Sequence, residues 1–178
     1  MTFTMPRMCS INYVPKKQNN ADYLLYWKDE LEKMSSVHIL HWAVDSFYPR
    51  LALKTAFEPE GCVILAMLSK IVPRITIVCN EMDYQMQHFW NINHRLSIKT
   101  AVEIIPAHFL DPENLCFDAL LDGTRRRGQP GIGVLRTDQS TGLPMIAPLV
   151  RWSHDALIRK LKQDTPFENS YIDILMQE

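Results

Sequence analysis

Residues 54–68 read KTAFEPEGCVILAML, and this stretch decides the fold. A short turn-forming segment, KTAFEPEG, leads into an unbroken apolar run. A loop that feeds a buried helix exposes backbone N–H groups at the positive end of the helix dipole, which favours an anion there. Thr55 adds a hydroxyl. Glu58 and Glu60 add negative charge, and acids at a helix start are also ordinary dipole partners. The residues alone leave two readings open, a phosphate loop or a plain helix start.

Working outward, RLALKTA within 48–57 alternates Leu51, Leu53 and Thr55 as a short strand would. VHILHWAV (37–44) is a second strand candidate, and which of the two is central stays open. EGCVILAMLSKI (60–71) predicts a buried helix stopped by Pro73. RITIVCN (74–80), rich in β-branched residues, predicts a buried parallel strand. DYQMQHFWNINHRLS (83–97) has helical spacing, and TAVEIIP (100–106) reads as another strand. Before them, ADYLLYWKDELEKM (21–34) spaces Tyr23, Leu24, Trp27, Leu31 and Met34 as one face of a helix, with Asn20 as cap. After them, residues 128–150 are rich in Gly and Pro and read as loop with short strands. SHDALIRKLKQDT (153–165) predicts a last helix, capped by Ser153, with Ala156, Leu157 and Leu161 inward.

Strands alternating with helices predict an α/β, Rossmann-like fold: a mostly parallel sheet with helices on both faces. Ligands of such sheets bind beyond the carboxyl ends of the strands. KTAFEPEG, CNEMD and DGTRRRGQPGIG all fall at such ends. In the last of these, Arg125, Arg126 and Arg127 lie between Gly123 and Gly128. Guanidinium groups bond phosphate or sulfate oxygens two at a time, although a solvated basic loop reads the same way. The acidic pairs Asp118/Asp122 and Glu81/Asp83 lie near loop ends, where they are either helix-end charges or holders of a nucleotide-bound metal.

Composition narrows the function classes. The 178 residues carry 19 basic and 20 acidic side chains, a net charge of −1, which argues against nucleic acid as the main partner. Cys9, Cys62, Cys79 and Cys116 form no CxxC pair, so no zinc ribbon or iron–sulfur cluster is expected, and reduced cytosolic thiols are. The six histidines make no HExxH pattern, and no metal site is assigned. The first residues lack a signal-peptide apolar core. The most apolar stretch is broken by Lys70, Pro73 and Arg74, so the expectation is a soluble cytoplasmic protein without a membrane partner. Residues 1–20 are read as an N-terminal arm and 21–178 as one domain.

Taken in order, these stretches resemble the phosphoadenosine phosphosulfate (PAPS) reductase family, of the adenine nucleotide alpha-hydrolase-like, or PP-loop, group. KTAFEPEGCVIL looks like the family's modified PP-loop and ITIVCNEMDYQMQHFW like its second strand and following helix. DALLDGTRRRGQ looks like its Gly-x-Arg-Arg loop and APLVRWSHDALIRKL like the Pro-Leu-x-x-Trp approach to its late helix. The resemblance implies an adenine nucleotide, such as ATP, adenylyl sulfate (APS) or PAPS, bound at the strand ends. It matches Thr55, Phe57, Glu60 and Gly61 to the PP-loop, and Gly123, Arg125 and Arg126 to the arginine loop. Arg127 is adjacent, and Glu81 stands where the family's second strand ends. Pro148, Leu149 and Trp152 match packing positions.

The chain departs from the family where Glu58 replaces a Gly, and where Glu81-Met82-Asp83 replaces Asp-Thr-Gly. The family's reductases carry a nucleophilic Cys on a C-terminal tail, and no Cys follows Cys116. Thiol-dependent reduction needs a thiolate that reaches sulfur. The expectation is therefore adenylyl or sulfur transfer, with a protein partner supplying the missing groups, and no catalytic residue is assigned. The alternative is a catalytically degenerate scaffold or regulatory subunit of the same fold.

Overall fold

Six strands form one sheet in a computed structural model that describes residues 21–79, 100–107, 116–129 and 131–164. The strands are β1 (Leu51–Lys54), β2 (Arg74–Cys79), β3 (Ala101–Pro106), β4 (Ala119–Asp122), β5 (Leu135–Thr137) and β6 (Pro144–Ile146). Their order across the sheet is β3-β2-β1-β4-β6-β5. Every neighbouring pair is parallel except β5 and β6, which form an antiparallel hairpin at one edge.

Alternation along β1 sets the layers. Leu51 and Leu53 join Ile75, Ile77, Ala119 and Leu121 in the larger core, while Ala52 faces the other way with Val78 and Leu120. The larger core is completed by α1 (Ala21–Leu31), α2 (Ser36–Phe47), α3 (Pro59–Leu68) and α4 (His154–Asp164). α3 is buried from Glu60 through Leu68, so it needs no polar face and its residues are apolar almost throughout. Pro at the first helical position starts it without wasting a donor.

The outer helices follow the sequence reading closely. α4 buries Leu157, Ile158 and Leu161, with Ile158 rather than Ala156 completing the inward stripe. Trp152 packs against the larger core and its indole Nε1 donates to Ser36 Oγ at 2.6 Å. Arg151 hydrogen-bonds the carbonyls of Glu32 and Met34, so the segment before α4 is tied to the turn between α1 and α2.

The expected strand at 37–44 is a helix instead. Over eight residues the six apolar side chains, interrupted by His38 and His41, fit either period. Over Ser36–Phe47 the buried positions Ile39, Leu40, Ala43, Ser46 and Phe47 recur at three- and four-residue spacing. Ser35 caps the helix by accepting from the His38 N–H. β1 is consequently the central strand. The expected arm at 1–20, the Asn20 cap and the helix expected at 83–97 lie outside the described residues.

Leu53 is fully buried at the middle of the sheet, in register with Ile77 on one side and Leu121 on the other. Leu53→Ala is expected to lower unfolding stability by about 2–5 kcal/mol in urea titration, and a loss below about 1 kcal/mol would contradict the central place of β1.

Candidate functional site

The order in which strands are added to the sheet reverses between β1 and β4. From β1 the next strand in sequence lies on one side, and β4 lies on the other. Crevices at the carboxyl ends of strands beside such a switch are the usual ligand sites of open parallel sheets. A pocket of about 420 Å³ opens at this place. Lys54, Val78 and Cys79 and Asp122 bring the ends of β1, β2 and β4 to its wall. Thr55, Ala56 and Glu58 come from the loop before α3, Gly123 and Thr124 from the loop after β4, and Asp138 and Met145 from the β5–β6 hairpin.

The loop before α3 is tightly organised. Thr55 is buried, and its Oγ1 accepts the Phe57 N–H at 2.9 Å while donating to Glu58 Oε2 at 2.9 Å. The Ala56 N–H donates to the same carboxylate oxygen at 2.8 Å. Phe57 sits at φ 63°, in the left-handed region that side chains rarely occupy, while its ring is buried in the larger core. Gly61 permits this packing, since a Cβ there would lie 1.9 Å from Thr55 Oγ1. Gly123 meets the loop from the other side, where a Cβ would lie 2.6 Å from the Cβ of Glu60.

Glu60 is the electrostatic centre. It is 5% exposed and takes Arg125 Nε at 2.6 Å and an Arg127 Nη2 at 3.1 Å on one oxygen. Burial works against its ionisation, yet the hydrogen bonds from Arg125, its own amide and Arg127 hold the carboxyl below the usual range. The Arg125 side chain is 6% exposed, whereas Arg127 is 68% exposed, at φ 40°. Arg126 turns away: its Nη2 bonds Glu32 Oε2 at 2.9 Å and its Nε the Ile132 carbonyl at 2.7 Å. Arg136 bridges Asp122 and Thr124.

The described candidates of the PP-loop and arginine-loop matches therefore meet around the two loops, but their roles divide; Asp118 lies instead at the amino end of β4, paired with Arg50 at 2.9 Å, apart from Asp122 at the pocket. Thr55 and Gly123 line the pocket. Phe57, Glu60, Gly61 and Arg125 hold the loops from behind, Arg126 links the β4 loop to the end of α1, and Arg127 keeps most of its surface in solvent. Glu81 lies outside the described residues.

Sequence reasoning did not single out Lys54, Cys79, Thr124 or Asp138. Lys54 had a signal, as the last residue of the strand before the loop. Asp138 had none, because a hairpin at the far edge of the sheet carries it to within 4.0 Å of Lys54 Nζ. Burial opposes ionisation of Asp138, but the hydroxyls of Ser140 and Thr141, together with Lys54, hold its carboxyl below the usual range.

The pocket can orient an anionic or hydroxyl-bearing ligand through Lys54, Thr55 and Thr124. Cys79 at its wall, and Cys62 buried in α3, have little nucleophilic capacity. Burial, reinforced by Glu58 and Glu60, pushes the Cys62 thiol far up, and burial raises that of Cys79. No group of three or more His, Cys, Asp or Glu among the described residues is arranged to hold a metal. No helix among them is long and apolar enough to cross a membrane.

Removing the Glu60 charge leaves Arg125 buried without its partner. Glu60→Gln is expected to cost about 3–5 kcal/mol at neutral pH. A carboxyl with a depressed folded-state pKa stabilises above its unfolded value of about 4.3 and loses that contribution as pH falls through the folded one. Denaturation curves of the two proteins should thus draw together below about pH 4. A constant gap down to pH 2.5, roughly two units below the free carboxyl, would show that the Glu60 charge is not its origin.

No family model matches the chain. A phosphoadenosine 5'-phosphosulfate reductase from Synechocystis sp. is 33% identical over 55 residues, 31% of this chain. That match spans 22% of the cyanobacterial protein's length. A crystal structure of phosphoadenylyl-sulfate (PAPS) reductase from Candida auris, a phosphate complex, superposes with a TM-score of 0.65 at 20% identity, over 87% of this chain and 92% of that one. The chain thus has the α/β fold of a PAPS reductase and shares local sequence similarity with that family.

Proposed function

We propose that this chain is a PAPS-reductase-like protein that binds an adenine nucleotide (ATP, APS or PAPS) in the pocket between the ends of β1 and β4. The observation that carries the reading is the pocket's position at the switch point of a PAPS-reductase fold, with Lys54 and two threonine hydroxyls at its wall. Lys54 and the exposed guanidinium of Arg127 meet the ligand's anionic groups. Arg125 and Arg126 contribute by holding the loop in shape, and Gly61 and Gly123 allow the two loops to approach. The similar fungal reductase is described as a phosphate complex, which supports an anionic ligand for this fold.

The chemistry that fits is adenylyl or sulfur transfer in the cytoplasm, with a protein partner supplying the reacting group. The burial of Cys62 and Cys79, which raises both thiols, supports that division of labour. A second reading, a scaffold or regulatory subunit of the same fold, is favoured by one observation: Arg125 and Arg126 already spend their guanidinium groups on Glu60 and Glu32. It predicts a stable complex with another protein, and light scattering that finds a nucleotide-saturated monomer counts against it.

Calorimetry with ATP, APS and PAPS tests the first reading. Lys54→Ala and Arg127→Ala should each weaken binding of the preferred ligand about tenfold, equivalent to losing one charge-assisted hydrogen bond of about 1.5 kcal/mol. Absence of binding at millimolar concentration for all three nucleotides would overturn it.

A further inference from the structure

Glu58 is the residue of the loop whose placement the proposed nucleotide site does not explain. Its carboxylate lies inside the turn rather than in solvent. One oxygen accepts both the Ala56 N–H at 2.8 Å and the Thr55 hydroxyl at 2.9 Å. The other oxygen lies where the two loop glycines face each other. A Cβ on Gly61 would stand 3.1 Å from it, and one on Gly123 only 2.9 Å. The tighter constraints on the two glycines are Thr55 Oγ1 and the Glu60 Cβ, and the carboxylate lies beside the space their missing side chains leave. The donors engaged are an amide and a hydroxyl directed at one oxygen, which is also the donor set that a phosphate or sulfate oxygen would need. The carboxylate borders the 420 Å³ pocket, so the donors it takes belong to the pocket wall.

We infer that Glu58 is a built-in anion that fills the phosphate seat of this loop, making it the determinant of which ligands the pocket accepts. A ligand that brings its own phosphate or sulfate to the seat must displace a tethered carboxylate and then lie beside its charge. A ligand whose anionic group sits elsewhere, or which has none there, meets a seat already satisfied. The pocket therefore discriminates against an anionic group brought to this seat, and the adenosine moiety, with Lys54 and Arg127, supplies the affinity of a nucleotide. The adenosine part of this statement rests on the nucleotide reading above, while the occupied seat rests on the loop geometry alone.

The two parts are tested together by calorimetry at one pH and ionic strength, using adenosine, ATP and inorganic pyrophosphate. The proteins are the native chain, Glu58→Ala and Glu58→Gln. Glu58→Gln keeps an acceptor of the same shape, so it protects the comparison if the alanine variant folds poorly. The amide resonance of Ala56 reports locally on the seat. Glu58→Ala should gain at least tenfold for ATP and pyrophosphate, Glu58→Gln a smaller gain, and adenosine should be unchanged. Pyrophosphate should shift the Ala56 amide in the variants and leave it in place in the native chain.

If pyrophosphate binds the variants but adenosine and ATP bind no protein better than pyrophosphate does, the occupied seat stands and the nucleotide reading fails. If adenosine binds but the Glu58 variants gain nothing for ATP or pyrophosphate, the nucleotide reading stands and the occupied seat is overturned. Binding of pyrophosphate to the native chain as tightly as to Glu58→Ala, or to none of the three proteins, overturns it equally.

Discussion

The buried ion pair between Glu60 and Arg125 joins the two halves of the site. Glu60 opens α3 and Arg125 follows β4, and the pair holds the loop before the helix against the loop after the strand. Two ions taken out of water lose several kcal/mol of hydration each, and only close, well-satisfied contact returns it. That requirement is met here because one carboxylate oxygen receives two guanidinium donors and the helix start adds its dipole. Remove Glu60 and Arg125 becomes an uncompensated buried charge. The loop facing the pocket is thus anchored from behind, on the side away from any ligand.

With the loops anchored, the polar groups at the strand ends are left facing a common space. β1 lies between β2 and β4, so Lys54 is in register with Val78 on one side and Asp122 on the other. Parallel strands put their carboxyl ends on the same edge, and the reversal of strand order at β1 opens a crevice there. The strained backbone at Phe57 belongs to the same construction. Its ring is held in the core while its N–H is turned to Thr55, an arrangement costing of order 1–3 kcal/mol that persists only where surrounding packing enforces it. Glu58 then completes the turn from within, and the loop is satisfied without a bound anion.

Much of the architecture was legible because it is written in local periodicity. The β-branched run at 74–79 and the apolar run after Gly61 read directly as a buried strand and a buried helix. The segment 37–44 did not. Its six apolar residues, interrupted by His38 and His41, fit either period, and the repeat that separates helix from strand emerges only over the full Ser36–Phe47 span. The site was legible as a set of loops at strand ends, since parallel topology implies that edge. The division of labour within it was not. A sequence with three consecutive arginines cannot say which one faces solvent. That is settled by Glu60, 65 residues from Arg125, and by Glu32, 94 residues from Arg126.

The sequence by itself determined the α/β alternation, the loop feeding α3, the arginine cluster and the resemblance to the PAPS reductases. Each of these depends on residues within a few turns of one another, where backbone preference and hydrophobic period act without help from distant parts. Tertiary structure decided that β1 is central, that Asp138 reaches Lys54 from the edge hairpin, and that Arg125 and Arg126 are structural ties. It also decided that Glu58 turns inward onto the Ala56 amide. Electrostatic partners are chosen by proximity in space and by how much water remains around them, and neither quantity exists until the chain has folded.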